Sequence, residues 1–105
     1  MREARRVVAT AITCDRIDLS WKPVPGAQEY RVYRTKEGRS VEVSDRSLVA
    51  VTRAARHEDR ELKPATRYRY AAVAVGIDME PLRLPDVSCT TLRGGLRLTR
   101  QDMRE

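Results

Sequence analysis

Residues 62–75 read LKPATRYRYAAVAV, and this stretch decides the fold. Its first half is polar and contains Pro64, which lacks a backbone N–H and interrupts regular structure. Its second half alternates with a period of two, so the even-numbered residues from Tyr68 to Ala74 would lie on one face of a strand. Arg67 and Arg69 would then point the other way. The stretch predicts a turn that leads directly into a long strand with one buried face.

The rest of the chain repeats this pattern of short alternating runs separated by turn residues. Ile17, Leu19 and Trp21 alternate with polar residues, and the prolines and Gly26 that follow them end the run. The predicted strands cover residues 7–12, 17–21, 29–34, 41–43, 48–52, 55–58, 67–75 and 87–92. These eight short runs are close to the pattern of about seven short strands, at a spacing of 8 to 12 residues and without a helical pattern, that is typical of an all-β sandwich. We therefore predict an all-β, seven-stranded Greek-key sandwich.

Several motifs, in order along residues 7–92, resemble those of the fibronectin type III family. In the first half these motifs are Ile17-x-Leu19-x-Trp21, Pro23-x-Pro25-Gly26-Ala27 and Tyr30-x-Val32. In the second half they are Leu62-x-Pro64-x-Thr66-x-Tyr68 and the pair Ala74-Val75. The resemblance implies an immunoglobulin-like sandwich in which strands A, B and E face strands C, C′, F and G. Residues 1–6 would be a disordered lead, and residues 93–105 a linker or the start of a following segment.

The same resemblance assigns structural roles to particular residues. Trp21, Tyr30, Leu62 and Pro64 would be structural, and Tyr68 would be the corner tyrosine whose hydroxyl bonds backbone near the E–F turn. In that region one residue departs from the family pattern and one agrees with it. Ala65 replaces the usual glycine, so we expect the turn to avoid positive φ there, and Asp59 falls where the family often has an aspartate that caps the turn.

Arginine dominates the positive charge of the 105-residue chain, whose formal net charge is +6. A basic protein can bind nucleic acid. Arginines on the solvent faces of strands can also simply cover apolar surface and protect sheet edges. Because the cations are interleaved with fifteen acids, we favour the second interpretation. No apolar run approaches the roughly 20 residues that span a bilayer, so no membrane association is predicted. The arginine- and alanine-rich usage without asparagine is typical of a GC-rich, bacterial source.

The residue inventory argues against catalysis, and neither a cofactor nor a metal site is predicted. His57 is the only histidine, and its expected inward position makes it a packing residue. Glu58, Asp59 and Glu61 are interpreted as turn residues, and GxGxxG, P-loop and HExxH motifs are absent. The two cysteines, Cys14 and Cys89, lack CxxC spacing, and a bridge between them stays open as an alternative.

Two surfaces are candidates for binding. The predicted F–G loop, residues 76–85, carries Ile77, Met79, Leu82 and Leu84; these form a docking patch unless they fold back onto the sandwich. The second surface is formed by side chains expected to point outward from strands C and F, namely Arg31, Tyr33, Arg67 and Arg69.

The predicted function is that of a non-catalytic protein-interaction or spacer module, one domain of a larger multidomain protein. Its partner would be another protein or a neighbouring domain of the same chain, and the isolated domain would be a monomer. The alternative is a nucleic-acid-binding domain, or an accessory domain of a carbohydrate-active enzyme, that uses the arginine-rich sheet face.

Overall fold

The computed structural model describes residues 6–36 and 40–94. Within these ranges the chain forms antiparallel strands and no helix. The strands are β1 (Val8–Thr13), β2 (Arg16–Ser20), β3 (Glu29–Lys36), β4 (Leu48–Thr52), β5 (Arg56–Asp59), β6 (Arg67–Gly76), β7 (Met79–Arg83) and β8 (Val87–Thr90). The predictions for residues 1–5, for the turn at Gly38 and for residues 95–105 lie outside the described residues.

The strands form two sheets that pack face to face. The first sheet has the order β1-β2-β5, and the second has the order β4-β3-β6-β7, with β8 also paired to β6. This is the arrangement that the resemblance implies, with β1, β2 and β5 as strands A, B and E and the remainder as C, C′, F and G. The prediction of an all-β Greek-key sandwich is therefore confirmed.

The last edge of the second sheet is divided, which is why there are eight strands and not seven. Both β7 and β8 pair with β6, β7 along residues 73–76 and β8 along residues 67–70. Between them the Leu84 N–H still donates to the Ala72 carbonyl, at 2.9 Å, but Pro85 has no N–H with which to continue the ladder. The two pieces are one interrupted G strand.

The prediction of a strand over residues 41–43 is wrong. The segment from Ser40 to Ser47 is irregular, and its Val41 is buried with an exposure of 3%. The apolar character that suggested a strand comes from Val41 packing on the outer face of the second sheet instead. The edge strand C′ is formed by β4 alone.

The core between the sheets is built by the residues that alternation assigns to it. Ile17 and Leu19 from β2 face Val32 and Tyr70 from the second sheet, and all are at most 2% exposed. Trp21 directly follows β2 and contacts the Tyr30 ring edge to face, with centroids 5.3 Å apart. Such aromatic pairs add about 1 kcal/mol to the area that they bury.

Tyr68 forms the corner that the resemblance predicts. Its ring is buried, and its hydroxyl accepts a hydrogen bond from the Lys63 N–H at 2.9 Å. Thr91 supports the same turn, because its Oγ1 donates to the Lys63 carbonyl at 2.6 Å and accepts from the Thr66 N–H at 2.9 Å. The turn between β5 and β6 is thereby fixed to strand G.

Replacing Tyr68 by phenylalanine should lower the free energy of unfolding by about 1 to 3 kcal/mol, because it leaves the Lys63 N–H without its acceptor. Urea denaturation followed by tryptophan fluorescence measures the loss. Thr66→Val, which removes an exposed hydroxyl bonded to the Pro64 carbonyl, is a control with a smaller expected effect. Equal stability of Tyr68→Phe and the wild-type domain would contradict the assignment.

The sequence led us to expect that the turn avoids positive φ at Ala65, and this expectation is wrong. Ala65 has φ of 50°, and Glu61 has φ of 61°. An L-residue in this left-handed region costs about 1 to 2 kcal/mol relative to the right-handed one. The corner hydrogen bonds described above, together with that from the Ala65 N–H to the Leu92 carbonyl at 3.0 Å, hold the backbone there.

The family pattern suggested that Asp59 caps the turn. In the structure its side chain joins the two sheets instead. Its carboxylate, in β5, accepts hydrogen bonds from Arg34 Nη1 at 2.9 Å and from the Tyr70 hydroxyl at 2.7 Å, both from the second sheet. The Arg34 guanidinium also lies over the Tyr68 ring, 5.5 Å from its centroid. Burial, together with the Asp59 carboxylate, raises the pKa of Tyr70 far above its usual value. This charged cluster inside the sandwich has no counterpart in the sequence prediction.

Candidate functional site

Four arginines share the outer face of the second sheet, and we call them the arginine face. The strand registers place Arg31 beside Val73, and Val73 beside Arg83, in one row across the sheet. Arg69 lies two residues before Ala71 on β6, and Arg67 two residues further back, so their side chains point the same way. The arginine face comprises Arg31, Arg67, Arg69 and Arg83.

One carboxylate orders two of these arginines. Asp86 accepts from Arg83 Nε at 3.3 Å and from Arg83 Nη2 at 3.1 Å, and it accepts from Arg69 Nε at 3.3 Å. The Arg83 Nη2 also donates to the Val41 carbonyl at 2.9 Å. The side chain of Asp86 is only 16% exposed, whereas Arg83 keeps 43% of its side chain in solvent. The guanidinium groups are thus held in place while remaining accessible.

The other two arginines are freer. Arg31 contacts Glu29 through Nε at 3.4 Å, a long ion pair between half-exposed groups, which contributes little energy. Arg67 is exposed, and no ion pair joins it to any residue in the described ranges. An anion that approaches this face therefore does not have to displace a strong partner from either side chain.

Tyr33 lies on this face, as alternation predicts, but it is not exposed. It is 5% exposed and packs with Val41, Ala71 and Val73 in a second apolar cluster on the outside of the sheet. The irregular segment that contains Val41 covers it, which a strand pattern could not indicate. The prediction that this face combines an exposed aromatic ring with arginines is therefore wrong.

The predicted F–G loop is a β-hairpin. Only Ile77 and Asp78 form its turn, and the residues after them pair with β6 as β7. Leu84 is buried at 2%, and Met79 and Leu82 pack partly buried against the core, so these three fold back onto the sandwich. Ile77 alone projects from the tip, with an exposure of 79%.

The hairpin tip packs closely against the loop between β2 and β3. A Cβ built on Gly76 would lie 2.2 Å from the Gly26 carbonyl oxygen, so only glycine fits at position 76. Gly26 itself has φ of 86°. Ile77 therefore lies next to the Pro25-Gly26 turn. A single exposed isoleucine is common on protein surfaces and does not by itself form a docking patch.

The outer face of the first sheet carries an ion-pair network. Arg16 donates to both oxygens of Asp18, at 2.7 and 2.8 Å, and to Glu58 at 3.2 Å; Arg60 donates to Glu58 at 2.6 Å. Asp18 and Glu58 stand opposite each other on β2 and β5, so Arg16 relieves their repulsion. The hydrogen bond from Arg16 lowers the pKa of Asp18. This face is nearly balanced in charge.

The histidine and the two cysteines lie on different parts of the sandwich, His57 on β5, Cys14 in the turn between β1 and β2, and Cys89 on β8. His57 stands opposite Leu19 in the β2–β5 register and is half-buried. No group of three or more His, Cys, Asp or Glu side chains in the described ranges could hold a metal ion. Cys14 and Cys89 are free thiols, and burial raises the pKa of Cys89. Within the same ranges no helix could cross a membrane.

All five aromatic side chains of the protein are buried. Their exposures are at most 7%, for Trp21, Tyr30, Tyr33, Tyr68 and Tyr70. Stacking of bases or sugar rings requires accessible aromatic faces. The arginine face therefore offers charge and hydrogen-bond donors but no accessible aromatic ring.

Sequence reasoning found Arg31, Arg67 and Arg69 but missed Arg83 and Asp86, which complete the face. Both fall within or next to the stretch that two prolines marked as a loop. Alternation in the run from Met79 to Arg83 was the available signal, and Pro81 obscured it.

Comparison with known proteins gives structural likenesses only. No family model matches the chain, and no curated protein matches it. The crystal structure of FN3tt is 28% identical, with a TM-score of 0.64, over 82% of this chain and 88% of that one. A fibronectin type III domain of human contactin 1 has a TM-score of 0.67 and 16% identity, over 95% of this chain and 86% of that one.

A larger protein contains a similar domain. The crystal structure of a beta-1,2-glucanase from Parabacteroides distasonis matches 86% of this chain with 26% identity and a TM-score of 0.67. The match covers only 13% of the glucanase chain. Taken with the strand order and the tyrosine corner, these likenesses show that the chain folds as a fibronectin type III domain.

Proposed function

We propose that this domain is a non-catalytic protein-interaction module of a larger multidomain protein, and that its arginine face binds an acidic surface of a protein partner or neighbouring domain. The observation that carries the proposal is the alignment of Arg31, Arg67, Arg69 and Arg83 on one face. Arginine is enriched at the energetically important positions of protein interfaces, where it binds carboxylates in bidentate geometry.

Charge distribution supports this surface over the others. The outer face of the first sheet carries Arg16, Arg56 and Arg60 against Asp18 and Glu58, whereas the four arginines of the second sheet stand against Glu29 and Asp86. The arginine face therefore keeps an excess of positive charge. Asp86 also restrains Arg69 and Arg83 before any partner arrives, which reduces the side-chain entropy lost on binding.

Nucleic-acid and carbohydrate binding have less support from the geometry. Single-stranded nucleic acid is bound through positive charge combined with aromatic stacking, and the buried Tyr33 removes the aromatic part. A sugar-binding platform would need accessible aromatic rings, and the five in this protein are committed to packing. A spacer role requires no binding surface at all, and it is the outcome if the arginine face binds nothing.

The test compares two polyanions, using poly-L-glutamate as the acidic protein probe and oligothymidylate as the nucleic-acid probe. We expect calorimetry to detect binding of poly-L-glutamate that weakens with added salt and falls about tenfold in the double variant Arg31→Glu with Arg67→Glu. The control with the same net charge is Arg6→Glu with Arg56→Glu, two exposed arginines at the first sheet.

Three results would contradict the proposal. Tighter binding of oligothymidylate than of poly-L-glutamate, with a steep salt dependence, would indicate nucleic acid. Equal weakening by the control pair would show that net charge and not this face is responsible. If neither probe binds at low salt, the arginine face is not a binding site and a spacer role is the remaining interpretation.

A further inference from the structure

The two sheets leave four edges, and edge strands expose backbone N–H and C=O groups that can pair with another chain. Natural proteins protect such edges with charged side chains, proline or a covering segment. The sheet order makes β1 and β5 the edges of the first sheet, and β4 and the β7–β8 side those of the second. Comparing the four edges shows that one of them lacks the usual protection.

Three edges are protected. All four residues of β5, Arg56–Asp59, are ionisable, and β7 contains Glu80, Pro81 and Arg83. The uncharged strand β1 runs beside β8, and the Leu92 N–H that follows β8 donates to the Thr13 carbonyl at 3.3 Å. Each of these edges therefore carries charges, a proline or a neighbouring strand.

The fourth edge, β4, differs from the other three. Its sequence LVAVT contains neither a charged residue nor proline, and in the described part of the chain it pairs only with β3. Val51 points to the outer face beside Arg31, and it is 52% exposed. A register shift makes Val49 an extra residue, so Ala50–Thr52 is the regular part of the edge.

We propose that β4 accepts an extended segment of another protein as an added strand, with an apolar residue opposite Val51 and acidic residues at both ends. Main-chain hydrogen bonds to the free edge would supply the affinity, and the side-chain pattern would supply the specificity. The apolar residue stands about 5 Å from Val51, the distance between cross-strand neighbours.

The acidic ends follow from the charges that flank the strand. Arg46 precedes β4, next to the exposed Asp45, and Arg53 follows the strand; both arginines are exposed, and no ion pair joins either to another described residue. A second copy of the chain, pairing antiparallel through its own β4, would bring Arg46 near the other copy's Arg53. The protein's own residues 96–100 read LRLTR and are also basic. An acidic segment of a different protein fits these charges better than either.

The edge adjoins the arginine face at the Arg31–Val51 pair, but Arg67 and Arg69 lie on β6 and Arg83 on β7, so either proposal can fail alone. The probe is an acetylated peptide of sequence EDVTVTVDE, titrated into the isotope-labelled domain while backbone amide shifts are recorded. We expect shifts concentrated in β4 and β3, and at least tenfold weaker binding for the same peptide with N-methyl groups on alternate residues, which cannot form the ladder.

Matched variants locate the contact on the protein. Val51→Asp should weaken binding about tenfold, whereas Val8→Asp, which alters an exposed valine on β1, should leave it unchanged. A peptide of the same pattern with basic ends, KRVTVTVRK, should not bind. Arg67→Glu alone, on β6, reports on the arginine face, because Arg31 is paired with Val51 at the edge itself.

Four outcomes would overturn this proposal. These are the absence of shifts at about 1 mM peptide, shifts that map outside β3 and β4, undiminished binding of the N-methylated peptide, and equal binding of the basic peptide. Self-association of the domain without peptide, abolished by Val51→Asp in sedimentation experiments, would assign the edge to a second copy and also reject the proposed partner.

Discussion

Replacement of Asp59 by alanine is expected to lower the free energy of unfolding by about 3 kcal/mol, because it breaks a buried ion pair and orphans a buried hydroxyl. The Asp59 carboxylate is bound by Arg34 at 2.9 Å and by the Tyr70 hydroxyl at 2.7 Å. Tyr70 is 1% exposed, so its hydroxyl cannot turn to bulk water after the substitution. Arg34 is partly exposed and can recover some hydration, which limits the loss.

Two controls separate the buried cluster from ordinary surface charge. Glu58 is next to Asp59 on the same strand but is 51% exposed, and Glu58→Ala should cost less than about 1 kcal/mol. The double variant Asp59→Leu with Arg34→Met removes both charges and should recover part of the stability, since apolar replacements of a buried pair are often tolerated. Urea denaturation of the four proteins measures these differences. Equal losses for Asp59→Ala and Glu58→Ala would contradict the role assigned to the cluster.

Replacement of Trp21 by alanine should lower the free energy of unfolding by about 3 to 5 kcal/mol. The side chain is 7% exposed and packs edge to face on Tyr30, so truncation leaves a cavity at one end of the core. Because Trp21 is the only tryptophan, unfolding must be followed by circular dichroism.

The indole N–H of Trp21 offers a second comparison. It is buried and makes no hydrogen bond with the described residues. Trp21→Phe keeps much of the ring packing and removes this unsatisfied donor, so it should cost clearly less than the alanine variant. If both substitutions cost the same, packing of the ring would not be the source of the stability.

The sequence was sufficient for the fold because the fold depends on local patterns. Alternation around Trp21 and in the strand after Tyr68 assigns inward and outward residues directly, and the register confirms it. The corner motif places a tyrosine at a fixed distance from its turn, so the Tyr68–Lys63 hydrogen bond could be anticipated. These features involve residues that are close in sequence.

The features that could not be anticipated join residues that are distant in sequence. Arg34 lies on the inward side of β3, where alternation calls for an apolar residue, and only Asp59 on the opposite sheet explains it. Tyr33 is on the expected face but is buried by Val41 from an irregular segment. Asp86 orders Arg69 from 17 residues away, because β8 returns beside β6. Each of these pairings depends on how the sheets pack.

The binding surfaces also divide into features that local sequence patterns predict and features that depend on how distant residues pack. Alternation alone identified three of the four arginines, but the structure was needed to add Arg83 and to remove Tyr33, Leu84 and most of the predicted loop. The unprotected edge at β4 required the strand order, since its sequence resembles that of β1. Neither surface overlaps the buried cluster, so substitutions that test binding should not unfold the domain.

Amide-shift mapping of the isotope-labelled domain with poly-L-glutamate tests the central claim most directly. If the arginine face binds acidic partners, the amide shifts should be saturable and salt-sensitive and should lie on β3, β6 and the β7–β8 side. The largest shifts should lie near Arg31, Arg67, Arg69 and Arg83. The first sheet, β1-β2-β5, should be unaffected. Shifts spread over both sheets, or shifts centred on the first sheet, would contradict the assignment of this face as the site where the module binds an acidic partner.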